Sequence, residues 1–131
     1  GDFNIKPYDA CYQLLTQGRL TGEFADRTPT KPDGDVVAAK FSSQVEPPLK
    51  SAYVLANGKE PDFTNFAYTK PMGSDMDAFV ETLDYIFLSS GWGVTGVLPT
   101  VPASAIDRSK PYPTSTQPSD HCMIAADLGM V

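Results

Sequence analysis

The sequence predicts a mixed α/β chain. One segment near the N-terminus carries apolar residues at helical spacing, later segments carry the alternating or continuous apolar patterns of strands, and proline-rich polar stretches separate them. A length of 131 residues suits one small domain, and 41% hydrophobic with 20% charged residues is typical of a folded chain. Length and composition therefore predict that residues 1–131 belong to a single domain, with long loops at residues 25–48 and 99–118.

The helix is predicted to begin at Pro7, which suits a first helical turn, and to stop at Gly18. Four residues share its apolar face: Tyr8, Cys11, Tyr12 and Leu15. Residues 49–56 form an apolar-rich element whose type the pattern leaves open, closed by a turn at Asn57-Gly58.

Four strands are predicted, at residues 62–69, 82–90, 94–98 and 121–128. Alternation along 62–69 suits a strand between two layers. The nearly continuous apolar run within 82–90 suits a strand covered on both faces. Both patterns favour layers of secondary structure around the strands.

Composition excludes some functions. A formal net charge of −6 and a pI near 4.5 argue against a general nucleic-acid clamp, whereas an acidic metal-binding pocket remains compatible. No apolar run is long enough to span a bilayer, and the first residues show no signal-peptide pattern. We expect a cytoplasmic location, with the nucleus and the mitochondrion left open. Cys11 and Cys122 are expected to be reduced, partly buried thiols rather than a disulfide.

Polar residues stand at three predicted strand ends, where sites occur in layered α/β folds. The first cluster is Gly-Asp-Phe-Asn, with Asp2 and Asn4, although an Asp-x-Asn sequence often only turns the backbone. The second is Asp84 within an apolar strand, where a carboxylate needs a partner, and a structural pairing is as compatible as a functional one. The third is Asp120 beside His121.

His121 is the only histidine, and a single histidine is more often structural than catalytic. A carboxylate that holds one ring nitrogen would fix its tautomer, and Asp120 is the neighbouring candidate. Neighbours on a strand point to opposite faces, so Asp120 reaches His121 only if the backbone bends at Pro118-Ser119.

The ordered set Gly-Asp-Phe-Asn, Leu-Asp-Tyr-Ile-Phe and Ser-Asp-His resembles the second half of the endonuclease/exonuclease/phosphatase superfamily domain. The sequence between these motifs, including Phe63-Thr64-Asn65 and Phe79, is similar to that of the deadenylase, nocturnin, Angel and 2′-phosphodiesterase branch. The resemblance implies a four-layer α/β sandwich of the DNase I-like type, present here as its C-terminal half.

The resemblance also implies a phosphate-ester site. Asp2 would orient or deprotonate the attacking water, and Asn4 would hold the scissile phosphate. His121 would contact a phosphate oxygen, with Asp120 as its partner. The implied metal ligands are Asp2, Asn4 and Asp84, and the implied cofactor is Mg²⁺, with Mn²⁺ as the alternative.

Two further residues are implied to contact substrate, an RNA 3′ end or a nucleotide. Phe79 matches a position that stacks on a nucleobase, and Asn65 lies where a base or ribose is contacted. Their competing roles are a core position for Phe79 and a turn cap for Asn65. Glu81 stands where relatives often carry glycine, so adenine selectivity is not carried over.

The family also requires a first half with a metal-binding glutamate, so we expect this chain to be an isolated piece or a partial chain that needs that half as its partner. On its own, the chain is expected to bind Mg²⁺ weakly and to hydrolyse substrate slowly. The whole is expected to be a magnesium-dependent phosphodiesterase or phosphatase, either a 3′-exoribonuclease or a nucleotide phosphatase. The alternatives are a catalytically silent interaction module and a lipid or inositol phosphatase. Other protein partners are not predicted.

Overall fold

The computed structural model describes residues 1–24, 45–68 and 78–131. The regular elements in chain order are α1 (Ala10–Gln17), β1 (Lys50–Ser51), α2 (Ala52–Asn57), β2 (Asn65–Ala67), β3 (Phe79–Glu81), β4 (Phe87–Leu88), β5 (Trp92–Val97) and β6 (Ala126–Met130). Single turns of 3-10 helix lie at Gly22–Phe24 and Ala103–Ala105. In these ranges no helix has the length and apolar character needed to cross a membrane.

The strands of the described ranges pair as three antiparallel two-stranded sheets, β1 with β4, β2 with β3, and β5 with β6. Isolated bridges add to this pairing. Asn65 in β2 also pairs with His121, and Ala67 pairs with Tyr112, so β2 has neighbours on both sides. The mixed helix and strand class predicted from the sequence is confirmed.

Helix α1 begins later than predicted, at Ala10 rather than at Pro7. Asp9 precedes it in an extended conformation, and the Asp9 carboxylate accepts the backbone N–H of Lys6 at 2.8 Å, which closes a turn before the helix. Tyr8 therefore lies outside the helix and is 61% exposed. The predicted end is confirmed, because Gly18 caps the helix in the left-handed region.

Residues 49–56, whose secondary structure the sequence pattern left undecided, contain the short strand β1 followed directly by the start of helix α2. Tyr53 of α2 is 2% exposed, and its hydroxyl donates to the carbonyl of Leu98 at 2.8 Å. This bond ties α2 to the end of β5. Gly58 ends the helix, as Gly18 ends α1.

Two aromatic groups form much of the described interior. In the first, Phe63 and Phe66 pack edge to face with ring centroids 6.0 Å apart, and Tyr112 meets Phe66 at 5.1 Å. In the second, Tyr85 stacks on Phe87 at 5.0 Å. The Tyr85 hydroxyl lies within hydrogen-bond distance of two backbone carbonyl oxygens. Its hydrogen-bonding requirement is therefore met although the residue is only 1% exposed.

The strand predicted at residues 82–90 is interrupted. Asp84 makes an isolated bridge with Asp2, and regular pairing resumes only at β4. Leu83, Tyr85 and Leu88 are buried, so the apolar run still lies in the interior.

The strand predicted at residues 121–128 is wrong in its bounds, because β6 begins at Ala126. The chain changes its pairing partner in between. The N–H of Cys122 donates to Thr64 beside β2 at 2.7 Å, whereas the carbonyl of Ala125 accepts the N–H of Leu98 beside β5 at 2.9 Å.

Within residues 99–118 the 3-10 turn Ala103–Ala105 is the regular element. Of the loop predicted at residues 25–48, residues 25–44 lie outside the described ranges, and residues 45–48 form neither helix nor strand. Cys11 and Cys122 are free thiols, as expected. Cys11 is exposed rather than partly buried because it lies on the outer side of α1. Burial, and then the charge of Asp84, raises the pKa of Cys122.

Candidate active site around Asp84 and His121

Asp2 and Asp84 lie directly opposite each other on antiparallel segments. Backbone hydrogen bonds of 2.9 and 3.0 Å join residues 1–3 to residues 83–85 on either side of the two aspartates. The aspartates thus form a non-hydrogen-bonded pair, the type in which opposing side chains approach most closely. Like charges placed directly opposite repel, so this pair favours a neighbouring cation or proton donor.

His121 supplies such a donor. Its Nδ1 lies 2.8 Å from Oδ2 of Asp84. An ionised carboxylate only accepts hydrogen bonds, so Nδ1 carries a proton and Nε2 is the ring nitrogen left for a ligand. The side chains of His121 and Asp84 are 32% and 14% exposed, which leaves the imidazole accessible at the edge of the interior.

The surroundings of His121 favour its charged form. The hydrogen bond to Asp84 raises the pKa of the imidazole above its ordinary value, and the charges of Asp84, Asp2 and Asp120 act in the same direction, while burial opposes them. These carboxylates are therefore close enough to act on one imidazole. A histidine of this kind can donate a proton or a charged hydrogen bond near neutral pH.

Thr64 completes the environment of Asp84 from the other side. Its hydroxyl donates to Oδ2 of Asp84 at 2.7 Å. Oγ1 of Thr64 in turn accepts the backbone N–H groups of Leu83 and Asp84, both at 2.9 Å. The residue is 0% exposed. The Asp84 carboxylate is thus held between a buried hydroxyl and the imidazole.

The expected pairing of His121 with Asp120 is wrong. The backbone does turn there, because the N–H of His121 donates to Oγ of Ser119 at 3.1 Å. The imidazole nevertheless reaches Asp84, and Asp120 faces Asn65, whose amide Nδ2 lies 3.4 Å from Oδ2 of Asp120. The alternation of neighbouring side chains explains the difference, since it directs Asp120 and His121 to different partners.

Asn65 is close to the imidazole but largely covered. It lies directly opposite His121 in an isolated bridge, and its exposed fraction is 5%. Residues 64 and 66 exchange backbone hydrogen bonds of 2.7 and 2.9 Å with residues 122 and 120, which places this pair too in the close, non-hydrogen-bonded arrangement. Asn65 is thus a neighbour of the candidate site within strand β2.

Asp2 and Asn4 form the backbone turn that an Asp-x-Asn sequence favours. The N–H of Asn4 donates to Oδ1 of Asp2 at 2.8 Å, and Asn4 has a positive φ of 51°. Asparagine is among the residues that tolerate this conformation. Both residues are exposed, so the turn presents them to solvent beside Asp84.

Phe79 lies in β3 and is half-buried, under the side chain of Lys6, whose Nζ is 5.5 Å from the ring centroid. Glu81 of the same strand is bound by Lys6 at 3.5 Å and by the hydroxyl of Tyr8 at 2.9 Å. The Glu81 carboxylate therefore has its own partners, and the Lys6 ammonium covers part of the Phe79 surface.

The described residues do not form a complete metal site by themselves. No group of three or more histidine, cysteine, aspartate or glutamate side chains in these ranges is arranged to hold a metal ion. Asp2 and Asp84 supply hard oxygen atoms of the type that Mg²⁺ prefers, but Oδ2 of Asp84 already receives the Thr64 hydroxyl and faces His121. The oxygen atoms of the described residues would therefore supply only part of a ligand set.

Comparison with known proteins gives one consistent group of relatives. The chain is 31% identical over 131 residues to the "CCR4-Not complex 3′-5′-exoribonuclease subunit Ccr4" of Coccidioides immitis, with 99% of the chain aligned. It is 31% identical to the protein of that name from Neurospora crassa over 98% of the chain, and 30% identical to that from Emericella nidulans over 99%. By sequence, this chain is homologous to part of the Ccr4 subunits.

The expected resemblance to the deadenylase branch is thereby confirmed. The chain spans about 15% of the length of the Coccidioides and Neurospora Ccr4 subunits that it matches. No protein-family model matches the chain, and no solved structure matches it.

Most of the residues singled out for the candidate site are brought together. Asp2 lies opposite Asp84, and Asp84 is hydrogen-bonded to His121. Asp120 and Asn65 form a neighbouring pair. Phe79 is in the same sheet as Asn65 but has Lys6 as its neighbour. The roles of these residues in catalysis and substrate binding stay predictions.

Sequence reasoning missed Thr64 as a site residue. Thr64 lies within the strand predicted at residues 62–69, and the sequence pattern assigns it no role. The available signal was a hydroxyl within an apolar strand, because a buried hydroxyl needs a hydrogen-bond partner, and the nearby carboxylate of Asp84 was the acceptor in question.

Proposed function

We propose that this chain supplies the Asp84–His121 part of a phosphodiesterase active site, in a complete protein that removes nucleotides from the 3′ end of RNA. The fold proposed for that protein is the four-layer α/β sandwich of the DNase I-like type. The support is the homology to 3′-5′-exoribonuclease subunits over 98–99% of the chain. A nucleotide phosphatase is the other substrate assignment compatible with the same chemistry.

The observation that carries the proposal is the hydrogen bond between His121 and Asp84. With Nδ1 held by the carboxylate, Nε2 would point its proton to a phosphate oxygen. A protonated imidazole there stabilises the negative charge that develops on the phosphate or the leaving oxygen. The direction of the His121 pKa, raised first by the bond to Asp84, supports a charged imidazole.

Asp2 and Asn4 are proposed to act on the attacking water and the phosphate. Oδ1 of Asp2 is occupied by the N–H of Asn4, which orients the carboxylate and leaves its other oxygen to accept a proton from water. The amide side chain of Asn4 would donate to a phosphate oxygen. Both side chains are exposed beside Asp84, which supports a contact with a ligand.

Mg²⁺, with Mn²⁺ as an alternative, is proposed as the cofactor of the complete protein, with Asp2, Asn4 and Asp84 as contributors. Support comes from the two directly opposed carboxylates, whose repulsion a divalent cation would relieve. The described residues do not complete the ligand set, so further ligands are needed from elsewhere in the protein. When bound, the ion would supply Lewis-acid activation of the phosphate.

Phe79 and Asn65 are proposed to contact the substrate base or ribose. Stacking on Phe79 would require the Lys6 side chain to move off the ring, because the two are 5.5 Å apart. Asn65 is 5% exposed, so its contact would be limited to an edge of the amide.

The test is hydrolysis by the complete protein of three substrates, poly(A) RNA, NADP-type nucleotides and a phosphoinositide, each with Mg²⁺ and with EDTA. We expect RNA to be degraded from its 3′ end and EDTA to stop the reaction. His121→Ala should lower kcat about 10²- to 10⁴-fold, the range for loss of a general acid or base, in a protein that still folds.

Asp127→Asn is the matched control, because Asp127 is an exposed residue of β6 outside the cluster. Its rate should stay within about two-fold of the wild type, as for other surface changes. Full activity of His121→Ala would contradict the proposed role. A preference for the phosphoinositide would replace the RNA assignment with a lipid phosphatase, and inactivity on every substrate would favour the silent interaction module.

A further inference from the structure

We infer that Thr64 is a positioning residue for the Asp84–His121 pair, because its hydroxyl fixes the carboxylate oxygen that faces the imidazole. The inference rests on the proposed function, since it assigns a further residue to the same site. Thr64 is 0% exposed, so it acts through Asp84 and does not contact a substrate.

The hydrogen-bonding capacity of the Thr64 hydroxyl is fully used. A hydroxyl has one proton to donate and two lone pairs that accept. Backbone N–H groups can only donate, and those of Leu83 and Asp84 both point to Oγ1 at 2.9 Å. The hydroxyl proton must therefore go to the remaining neighbour, Oδ2 of Asp84 at 2.7 Å. The direction of this bond is fixed by the backbone.

This arrangement limits rotation of the carboxylate. The terminal torsion of an aspartate side chain is broad and weakly restricted by its own rotamer preference. Here Oδ2 of Asp84 receives the Thr64 hydroxyl and the Nδ1 proton of His121 together. Removing the hydroxyl would release the carboxylate to rotate, so that Nδ1 would lose its fixed partner.

The backbone of Thr64 is itself held on both sides. Its N–H donates to the carbonyl of Glu81 at 3.0 Å, and its carbonyl accepts the N–H of Cys122 at 2.7 Å. Thr64 therefore lies between the segment that carries Asp84 and the segment that carries His121. One residue thus fixes the separation of these two segments and the orientation of the carboxylate between them.

The test compares two substitutions at this position. Thr64→Val keeps the shape and removes the hydroxyl, whereas Thr64→Ser keeps the hydroxyl. In the complete protein we expect Thr64→Val to lower kcat about 10- to 100-fold, as for other residues that orient a site group, with KM nearly unchanged. Thr64→Ser should restore most of the rate.

Thr82→Val is the matched control. Thr82 is also buried, at 3% exposed, but its hydroxyl donates to the carbonyl of Pro61 at 2.6 Å and does not contact Asp84. This variant should lose stability to a similar extent while keeping kcat. An equal loss of kcat in both valine variants would show a merely structural role and overturn the inference.

A second readout does not depend on activity. His121 is the only histidine of the chain, so histidine-selective ¹⁵N labelling of the 131-residue chain reports one imidazole. In the neutral form we expect the wild type and Thr64→Ser to show the Nδ1–H tautomer, and Thr64→Val to shift toward the Nε2–H tautomer that an unrestrained histidine side chain prefers.

The two readouts separate the possible failures. A wild-type protein without hydrolytic activity would end the proposed function, while the tautomer comparison would still decide the role of Thr64. An unchanged tautomer and an unchanged kcat in Thr64→Val would overturn the positioning role alone. If Thr64→Val does not fold, Thr64→Cys, whose thiol is a weak donor, gives the same comparison, with an intermediate tautomer shift expected and a wild-type tautomer contradicting the inference.

Discussion

Asp84 is the residue on which the candidate site depends. It faces a second carboxylate, Asp2, across a close strand pair, and it accepts hydrogen bonds from Thr64 and His121. A carboxylate with this low exposure requires hydrogen-bond partners that offset the cost of its burial. The partners that compensate for its burial are also the groups that hold the imidazole in place, so stability and geometry are coupled at this residue.

This coupling predicts a pH-dependent contribution of His121 to stability. The pKa of His121 is raised in the folded chain, first by its hydrogen bond to Asp84. A raised histidine pKa stabilises the folded state fully below the unfolded value of about 6.5, and this contribution is lost as pH rises through the folded pKa. We therefore expect the wild type to exceed His121→Gln in free energy of unfolding by more at pH 5.5 than at pH 8.5.

Urea unfolding of the chain at a series of pH values would measure the difference. Glutamine keeps a hydrogen-bond donor near Asp84 but does not titrate, so it is a suitable reference. A difference between the two proteins that is constant with pH, or that grows in alkali, would contradict the expected charge interaction.

At the level of elements, the two helices end in the same way but in different surroundings. Gly18 and Gly58 both have a φ of 76°, and each donates its N–H back to the last turn of its helix. A side chain at Gly58 would meet nothing within 4 Å, whereas a Cβ at Gly18 would lie 2.7 Å from the carbonyl oxygen of Val45. Only the first helix end is in close contact with another part of the backbone.

Alanine substitutions at the two helix ends should therefore differ in cost. Gly58→Ala is expected to destabilise the fold by about 1 kcal/mol, the cost of a left-handed conformation for a residue with a Cβ. Gly18→Ala adds a clash with backbone, which brings the expected loss to about 2–4 kcal/mol. Denaturant unfolding of both variants tests this, and equal losses would mean that residues 18 and 45 separate at no cost.

The arrangement of acidic side chains in the described ranges bears on the affinity of the chain for metal ions. Because no group of three acidic, histidine or cysteine side chains in these ranges could hold a metal, we expect the chain alone to bind Mg²⁺ weakly. With 1 mM Mg²⁺ and a Kd of about 10 mM or weaker, the free energy of unfolding should rise by less than about 0.1 kcal/mol.

Thermal unfolding of the chain with Mg²⁺ and with EDTA would check this expectation. Asp84→Asn is a suitable comparison, because it removes one of the two opposed carboxylates without a large change in volume. A substantial rise in stability with Mg²⁺ in the wild type, absent from Asp84→Asn, would mean that the chain already holds the ion by itself.

Local patterns in the sequence predicted the mixed class. The resemblance to the deadenylase branch, carried by motifs at predicted strand ends, implied that Asp2, Asp84 and His121 share one site. It did not predict which carboxylate holds the imidazole. Asp120 is adjacent in sequence, whereas Asp84 is 37 residues away and meets His121 only through the pairing of residues 64–66 with residues 120–122. Long-range pairing of this kind is set by tertiary structure and not by local pattern.

Strand bounds failed for a related reason. Apolar periodicity treats residues 121–128 as one strand, but it has no information about a change of partner within the segment. The interruption at Asp84 is similar, since the bridge to Asp2 depends on residues at the far end of the chain. The missed Thr64 follows from both, because its hydroxyl acquires a role only once Asp84 is beside it.

A short connection leads from His121, which pairs with Asn65 of β2, to β6 of the β5–β6 sheet. Four residues after the imidazole, the carbonyl of Ala125 is held by the N–H of Leu98, beside the buried hydroxyl of Tyr53. Because this connection is short, a movement of β6 is expected to displace His121 as well. We therefore expect a displacement of the β5–β6 sheet to move the imidazole of His121 relative to the carboxylate of Asp84.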